Sequence, residues 1–515
     1  MSKTSVFRGT LLLTTANLAI RCVSMVFQVY LSGRIGAAGL GLMQLISSIG
    51  ILALTFGASG LRTAAMYLTA EETSRNRQGG VRCAMSWCLR YGFFTSLVAG
   101  LLLIRLAPLL AARWIQDTQA VPSLKLIGLF LPITCMTAVM SGYFTACGKI
   151  RQMVLIEVSE QVLAVILTVL LLDMWAGSSI ERACCAIFGG SAVACSISFF
   201  VMYAVYRRDR RAFGPTPKGL RMGQRLLRLC VPLALNGYLR SGLSTLENML
   251  IPRGLRKSGD SGERSMETYG TIHGMVFPVI TFASVILYSL SDVLVPELAR
   301  CRATGNSRRV LHLTDKCLRF GLVFALSTAG LLFCLSEPLG LLLYHSTEAA
   351  RYIGFFAPLV IILYLDAIVD GMHKGLGQQL HCVRYNTLTS FLDVALIFLL
   401  LPRYGIGGYL LSFTVTHLLN FYLSIRRLVQ VTAYPLPIGF FCKASSMAAL
   451  SVAAVRLLDR GGTPELLAAL LLGCIYLALF SLLLAVSGTF TGADLRWVLS
   501  LLRQRGRLPS QDGAA

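Results

Sequence analysis

Apolar runs of roughly 20 residues recur from one end of the chain to the other, separated by short polar and charged clusters. A helix needs about 20 residues to cross a hydrocarbon core, so each run is long enough to span a bilayer. The pattern predicts fourteen spans. The first six lie at about 9–33, 40–62, 86–110, 122–147, 153–174 and 182–206. The next six lie at about 227–251, 270–295, 317–343, 351–373, 386–402 and 405–425, and the last two at about 437–458 and 464–487. Helix is the state expected of every run, because an open strand in lipid would leave backbone groups without partners. The fold class read from the pattern is an all-α polytopic membrane protein.

Two spans break the apolar pattern in the same way. Arg21 to Arg34 and Arg240 to Arg253 each place arginines 13 residues apart, with Gln28 or Glu247 at the seventh step and Leu31 or Leu250 at the tenth. A second echo joins Ser141–Gly148 in the fourth span to Asp370–Gly377 in the tenth; both carry G-x5-G at the inner end. The offsets are similar, 219 and 229 residues, which predicts a six-span unit used twice in parallel orientation. The division that follows is an N-lobe at 1–206, a connector at 207–228, a C-lobe at 229–427, two further spans at 428–490 and a tail at 491–515. Leu220, Leu226 and Leu227 alternate with Arg221, Arg225 and Arg228 in the connector. It is either an amphipathic surface helix or a solvated linker.

Basic residues fill alternate connections. Arg207, Arg208, Arg210 and Arg211 follow the sixth span, and Arg300, Arg302, Arg308 and Arg309 follow the eighth. The excess of Lys and Arg marks the cytoplasmic side, which places both termini there and the protein in the cell membrane. Lys3 and Arg8 precede the first run, but Arg21 interrupts it and no small-residue cleavage site follows, so an uncleaved first helix is expected. The exception to the charge pattern is the external connection after the seventh span, which mixes Arg253, Arg256, Lys257 and Arg264 with Asp260, Glu263 and Glu267.

Composition agrees with the pattern: 515 residues, 55% hydrophobic and 14% charged, where soluble domains carry about 25% charged residues. The net charge of +23 follows from the basic connections and from attraction to anionic headgroups. No nucleic-acid motif accompanies it. The 15 cysteines show no CxxC or zinc spacing and are expected as small buried thiols. No P-loop, GxSxG or HExxH is present, so no catalytic residues, metal site or organic cofactor is expected.

The candidate chemistry lies in charged residues at bilayer depth, which cost about 2.5–3.5 kcal/mol each and usually mark a pathway. Arg21, Arg34, Arg62, Arg240 and Arg253 form the candidate substrate-binding set, a cationic cavity between the lobes suited to phosphate or carboxylate oxygens. Glu247, Asn386, Thr389 and Asp393 are the candidates for holding a coupling Na+ or H+. Asp366 and Asp370 share a helix face, with His373 and Lys374 following. His273 is read as a satisfied polar contact.

The runs E-N-M-L-I-P-R (Glu247–Arg253), Y-G-T-I-H-G-M (Tyr269–Met275) and L-S-D-V-L-V-P-E (Leu290–Glu297) resemble the stage V sporulation protein B family. So does L-S-G-R-I-G-A-A-G-L-G (Leu31–Gly41). That family lies in the polysaccharide-exporter branch of the MATE/oligosaccharide-flippase superfamily. The resemblance implies a two-lobed bundle of fourteen helices around a V-shaped cavity. It further implies alternating-access export of an undecaprenyl-pyrophosphate-linked saccharide, such as lipid II or a polysaccharide precursor. Arg21 and Arg62 match cavity arginines of the lipid II flippases, whereas Phe27-Gln28 stands where a further arginine and an aspartate would be, and span eight has no arginine. A sodium site in some relatives would fall near Glu247, Asn386 or Thr389, and Asp393. The implied partners are the polyprenyl-pyrophosphate saccharide, the bilayer and envelope-biosynthesis proteins. The alternatives are a MATE-type cation-coupled drug antiporter, a membrane enzyme acting on lipid-linked sugars, and a non-transporting scaffold.

Overall fold

A glycine sets the turn between the first two apolar runs. Helix α1 (Lys3–Ala58) leaves helical geometry at Gly36, whose φ of 67° and ψ of −179° are open to glycine and strained for other residues. The second run is broken again before α2 (Leu61–Ser74), where Gly60 has φ 76°. The computed structural model describes residues 3–75, 77–177, 179–211, 214, 221–458 and 466–488. Residues 212–213 and 215–220 of the connector, Leu220 among them, and the tail at 491–515 lie outside the described residues. Every regular element among the described residues is helical.

The protein is a multi-pass membrane protein. Among the described residues ten helical stretches are long and apolar enough to cross a bilayer, or eleven when Gly262–Phe282 and Ser284–Ala303 are taken together. The chain divides into two compact units, Met1–Gly270 and Thr271–Ala515.

The first unit continues with α3 (Gln78–Leu110), α4 (Val121–Ala146), α5 (Ile150–Leu171) and α6 (Ile180–Arg210), then α7 (Met222–Lys257) and α8 (Gly262–Gly270). Its core joins Leu61 and Leu68 of α2, Met85 of α3, Tyr143 and Phe144 of α4, Met202 and Tyr206 of α6 and Leu226 of α7. Tyr143 and Tyr206 meet edge to face at 5.0 Å. Large apolar side chains such as Phe94, Val98, Leu102, Ile166 and Leu170 are exposed. Their exposure on bilayer-length helices is what a lipid-facing surface requires.

Helix α7 is fastened to the first unit by polar contacts along its length. Arg225 donates to Glu72 at 2.8 Å and also to Glu71. Glu72 is fully buried, so this guanidinium neutralises a carboxylate that could not otherwise be held there. Farther along, Thr245 donates to the Ser48 carbonyl at 3.3 Å and Asn248 to the Ser48 hydroxyl at 3.2 Å. Tyr269 of α8 donates to Asn248 at 3.1 Å. Gly270 lies against the Ala37 carbonyl and the Gly41 nitrogen, an approach that leaves no room for a Cβ.

The second unit contains α9 (Phe277–Phe282), α10 (Ser284–Ala303), α11 (Ser307–Cys334), α12 (Ser336–Tyr344), α13 (Thr347–Phe356) and α14 (Val360–Gly375). It ends with α15 (Gln379–Tyr404), α16 (Ile406–Thr432), α17 (Ile438–Leu458) and α18 (Leu466–Val486). Phe440 and Ala444 of α17 pack with Tyr476 and Phe480 of α18 against Leu322 and Leu326 of α11. Tyr476 donates to the Leu326 carbonyl at 2.9 Å. The connector before α17 is held by Tyr434, which donates to Asp315 at 2.7 Å. Burial, reinforced by that carboxylate, pushes the Tyr434 phenol well above its ordinary value.

Candidate functional site

Helix α5 brings Glu157, Glu160 and Gln161 onto one face, because residues three and four apart lie one above the other. Glu157 stands seven residues into the helix, about 10 Å along its axis. Ser141 of α4 donates to Glu157 Oε1 at 3.2 Å. Gln161 donates to the Ser24 hydroxyl of α1 at 3.5 Å. Ser198 and Cys195 of α6 lie within hydrogen-bonding influence of Glu160.

Glu157, Glu160 and Gln161 line a cleft of about 280 Å³ inside the first unit. Arg62 of α2 and Thr137 and Ser141 of α4 supply the rest of its polar lining, with Ile20, Ala138 and Met202 as the apolar part. Arg62 sits two residues past the Gly60 break, where α2 resumes. The cleft therefore holds a guanidinium, two carboxylates, an amide and two hydroxyls. Such a set can receive an anion at one point and hydrogen-bond donors at another.

Of the five arginines expected to bind substrate, Arg62 lines this cleft and the other four do not. Arg21 follows the lining residue Ile20 and is exposed. Arg240 is exposed on α7. Arg34 pairs with Asp173, beyond the end of α5, with both side chains about half exposed. Arg253 donates to the Arg113 carbonyl, and Arg256 to Gln116 Oε1 at 2.7 Å. These two contacts account for basic residues in the connection after the seventh span: they cap the turn that ends α3.

The candidates for a coupling cation divide between the units. Glu247 is on α7, within electrostatic reach of Tyr269. Asn386, Thr389 and Asp393 share a face of α15 in the second unit but enter three separate hydrogen-bonded groups. Asp393, 6% exposed, accepts from Ser412 at 2.7 Å and Thr416 at 3.2 Å. Thr389 donates to Asn420 at 3.3 Å, and Asn420 donates to Asp366 at 2.9 Å. Asn386 donates to the Cys382 sulfur at 3.6 Å, and Cys382 to Asp370 at 2.9 Å. Among the described residues no group of three or more His, Cys, Asp or Glu side chains is placed to hold a metal ion. His273 lies 3.3 Å from the Tyr409 hydroxyl.

Glu157, Glu160 and Gln161 were not among the expected site residues. The signal was E-V-S-E-Q inside the apolar fifth run, where two acids three apart must share a face.

Fold and cleft together define a polytopic helical membrane protein with a polar cleft among the helices of its first unit. The chain belongs to the polysaccharide biosynthesis protein family, whose family model matches residues 6–302. It is 23% identical over 413 residues to stage V sporulation protein B of Bacillus subtilis (strain 168), covering 79% of this chain and 80% of that protein. Its fold is that of the lipid II flippase MurJ in an inward closed conformation, with a TM-score of 0.67 and 15% identity over 92% of this chain and 99% of that one. An inward-facing multidrug resistance MATE transporter of the MOP superfamily also matches, with a TM-score of 0.62 and 14% identity over 82% of this chain and 99% of that one.

Proposed function

We propose that the protein flips undecaprenyl-pyrophosphate-linked saccharides from the inner to the outer leaflet of the cell membrane by alternating access. The observation that carries this reading is Arg62 in a polar cleft lined by membrane-spanning helices, within the stretch matched by the family model. A guanidinium there receives a pyrophosphate through two parallel hydrogen bonds while the polyprenyl tail stays in lipid. Similarity to stage V sporulation protein B and to the MurJ fold supports the same substrate class. Arg21, Arg34, Arg240 and Arg253 extend the cationic path toward the cleft in this proposal.

Fourteen spans in two six-helix lobes, with two additional C-terminal spans, complete it. Splitting α1 at Gly36 and adding α7 and α16 to the eleven apolar stretches gives that number. The lobes are 1–206 and 229–427, both termini are cytoplasmic, and a Na+ or H+ gradient resets the cycle.

The test is flipping of a fluorescent undecaprenyl-pyrophosphate saccharide by purified protein in liposomes. Arg62→Ala is expected to slow it at least about tenfold, with smaller losses for Arg21→Ala and Arg240→Ala. Undiminished flipping in Arg62→Ala would remove the cleft from the mechanism. A second reading, a cation-coupled drug antiporter, draws on Glu157 and Glu160 in the same cleft and on the MATE fold match. Gradient-driven efflux of ethidium without lipid flipping would favour it.

A further inference from the structure

A lone positive group accounts for anion binding, but it leaves the α5 residues that line the same cleft without a purpose. Among the described residues, neither Glu157 nor Glu160 takes part in an ion pair. Unpaired carboxylates on a membrane-spanning helix are costly and call for a ligand that donates to them. A simple cation fits poorly, because Arg62 shares the cleft and repels it, and Gln161, whose amide nitrogen donates one N–H to Ser24, keeps a second N–H that no cation can use. A ligand with an anion beside several hydroxyl or amide N–H groups fits every member of the lining. Vicinal hydroxyls donate to Glu157 and Glu160, Gln161 both donates and accepts, and the Arg62 fork takes the phosphate. At about 280 Å³ the cleft lies just below the roughly 300–1,000 Å³ range of ligand pockets. That space suits one sugar ring beside a phosphate and excludes an extended oligosaccharide.

We infer that the α5 face bearing Glu157, Glu160 and Gln161 is a subsite for the first, phosphate-proximal sugar of the transported lipid, in the cleft that Arg62 also lines. The inference rests on the flippase reading above and adds to it the residues that recognise the sugar. Recognition of one ring makes the protein selective for the phosphate-linked sugar and tolerant of what is attached beyond it. It also divides the labour within the cleft: Arg62 acts on every pyrophosphate lipid, whereas the α5 face acts only on glycosylated ones.

The test compares binding of two lipids to the full-length protein in nanodiscs: undecaprenyl pyrophosphate, and the same lipid carrying one N-acetylglucosamine. Wild type is expected to bind the glycosylated lipid about tenfold more tightly, the return on one or two charge-assisted hydrogen bonds. Glu157→Gln with Gln161→Ala is expected to reduce that preference to under about twofold while leaving affinity for the bare lipid intact. Retained bare-lipid binding also shows that the variant is folded. Arg62→Ala is expected to weaken both lipids alike. Equal binding of the two lipids by wild type overturns the inference, as does a preference that survives in the double variant; both leave the flippase reading standing. Loss of both lipids by a monodisperse double variant also overturns it, by assigning the α5 face to phosphate binding. A sodium-dependent thermal shift lost in Glu157→Gln, with no lipid preference in wild type, overturns it in favour of a cation site. Failure of wild type to bind either lipid removes the flippase reading itself.

Discussion

The polar residues of α4 and α5 and those of α15 and α16 meet the same constraint and answer it differently. Around Glu157 the side chains line an opening, and each carboxylate keeps capacity for an outside donor. Around Asp393 the donors come from inside the protein: Ser412 and Thr416 both donate to Oδ1 of a carboxylate that is 6% exposed. The difference shows how a membrane protein separates function from support. An acid facing a cleft is available to a ligand, whereas one closed in by hydroxyls positions helices. Presence of a charge at bilayer depth does not distinguish the two cases; its neighbours do.

If closure, and not unit membership, is what matters, the largest effect on stability belongs to a closed network in the first unit. Arg225→Met leaves the buried Glu72 without its partner and is expected to cost about 3–5 kcal/mol. Unfolding in mixed micelles measures it, and a loss below about 1 kcal/mol would dissolve the distinction between closed and open groups. Next comes Asp393→Ala, which strips two buried hydroxyls of their acceptor for about 1–3 kcal/mol in the same assay. A similar or smaller cost, about 1–3 kcal/mol, is expected of Gly270→Ala, where the added methyl meets the Ala37 carbonyl. By contrast, Glu157→Gln should change stability by under about 0.5 kcal/mol, since the site is open and the amide still accepts from Ser141. A large loss there would class Glu157 with Asp393. The smallest effect is expected of Arg34→Ala: its pair with Asp173 is solvent-exposed, and the melting temperature should not move measurably.

Much of the fold was legible because its cause is local. Runs of apolar residues near bilayer length predict helices from composition and spacing alone, and helices are what form. The turn at Gly36 also has a local cause, since it needs only a residue without a Cβ. The site was less legible. Arg62 was singled out, and it lines the cleft. The α5 lining was less legible: two glutamates three apart share a face, but acids also stand in the later spans and spacing does not say which of them reach a cleft. The partners of Arg34, Arg253 and Thr389 were beyond reach of any spacing rule. Arg34 meets a residue 139 positions away, Arg253 one 140 away, and Thr389 one 31 away.

What the sequence determined by itself is the solvent in which this chain lives. Free energies of transfer add residue by residue along each run, so the choice of bilayer and of helix needs no knowledge of neighbours. What only tertiary structure decided is which polar groups are closed and which are left open. That choice depends on donors and acceptors brought within about 3 Å by helix packing. Asp393 met Ser412 and Thr416 there, whereas Glu157 met one serine and a cleft.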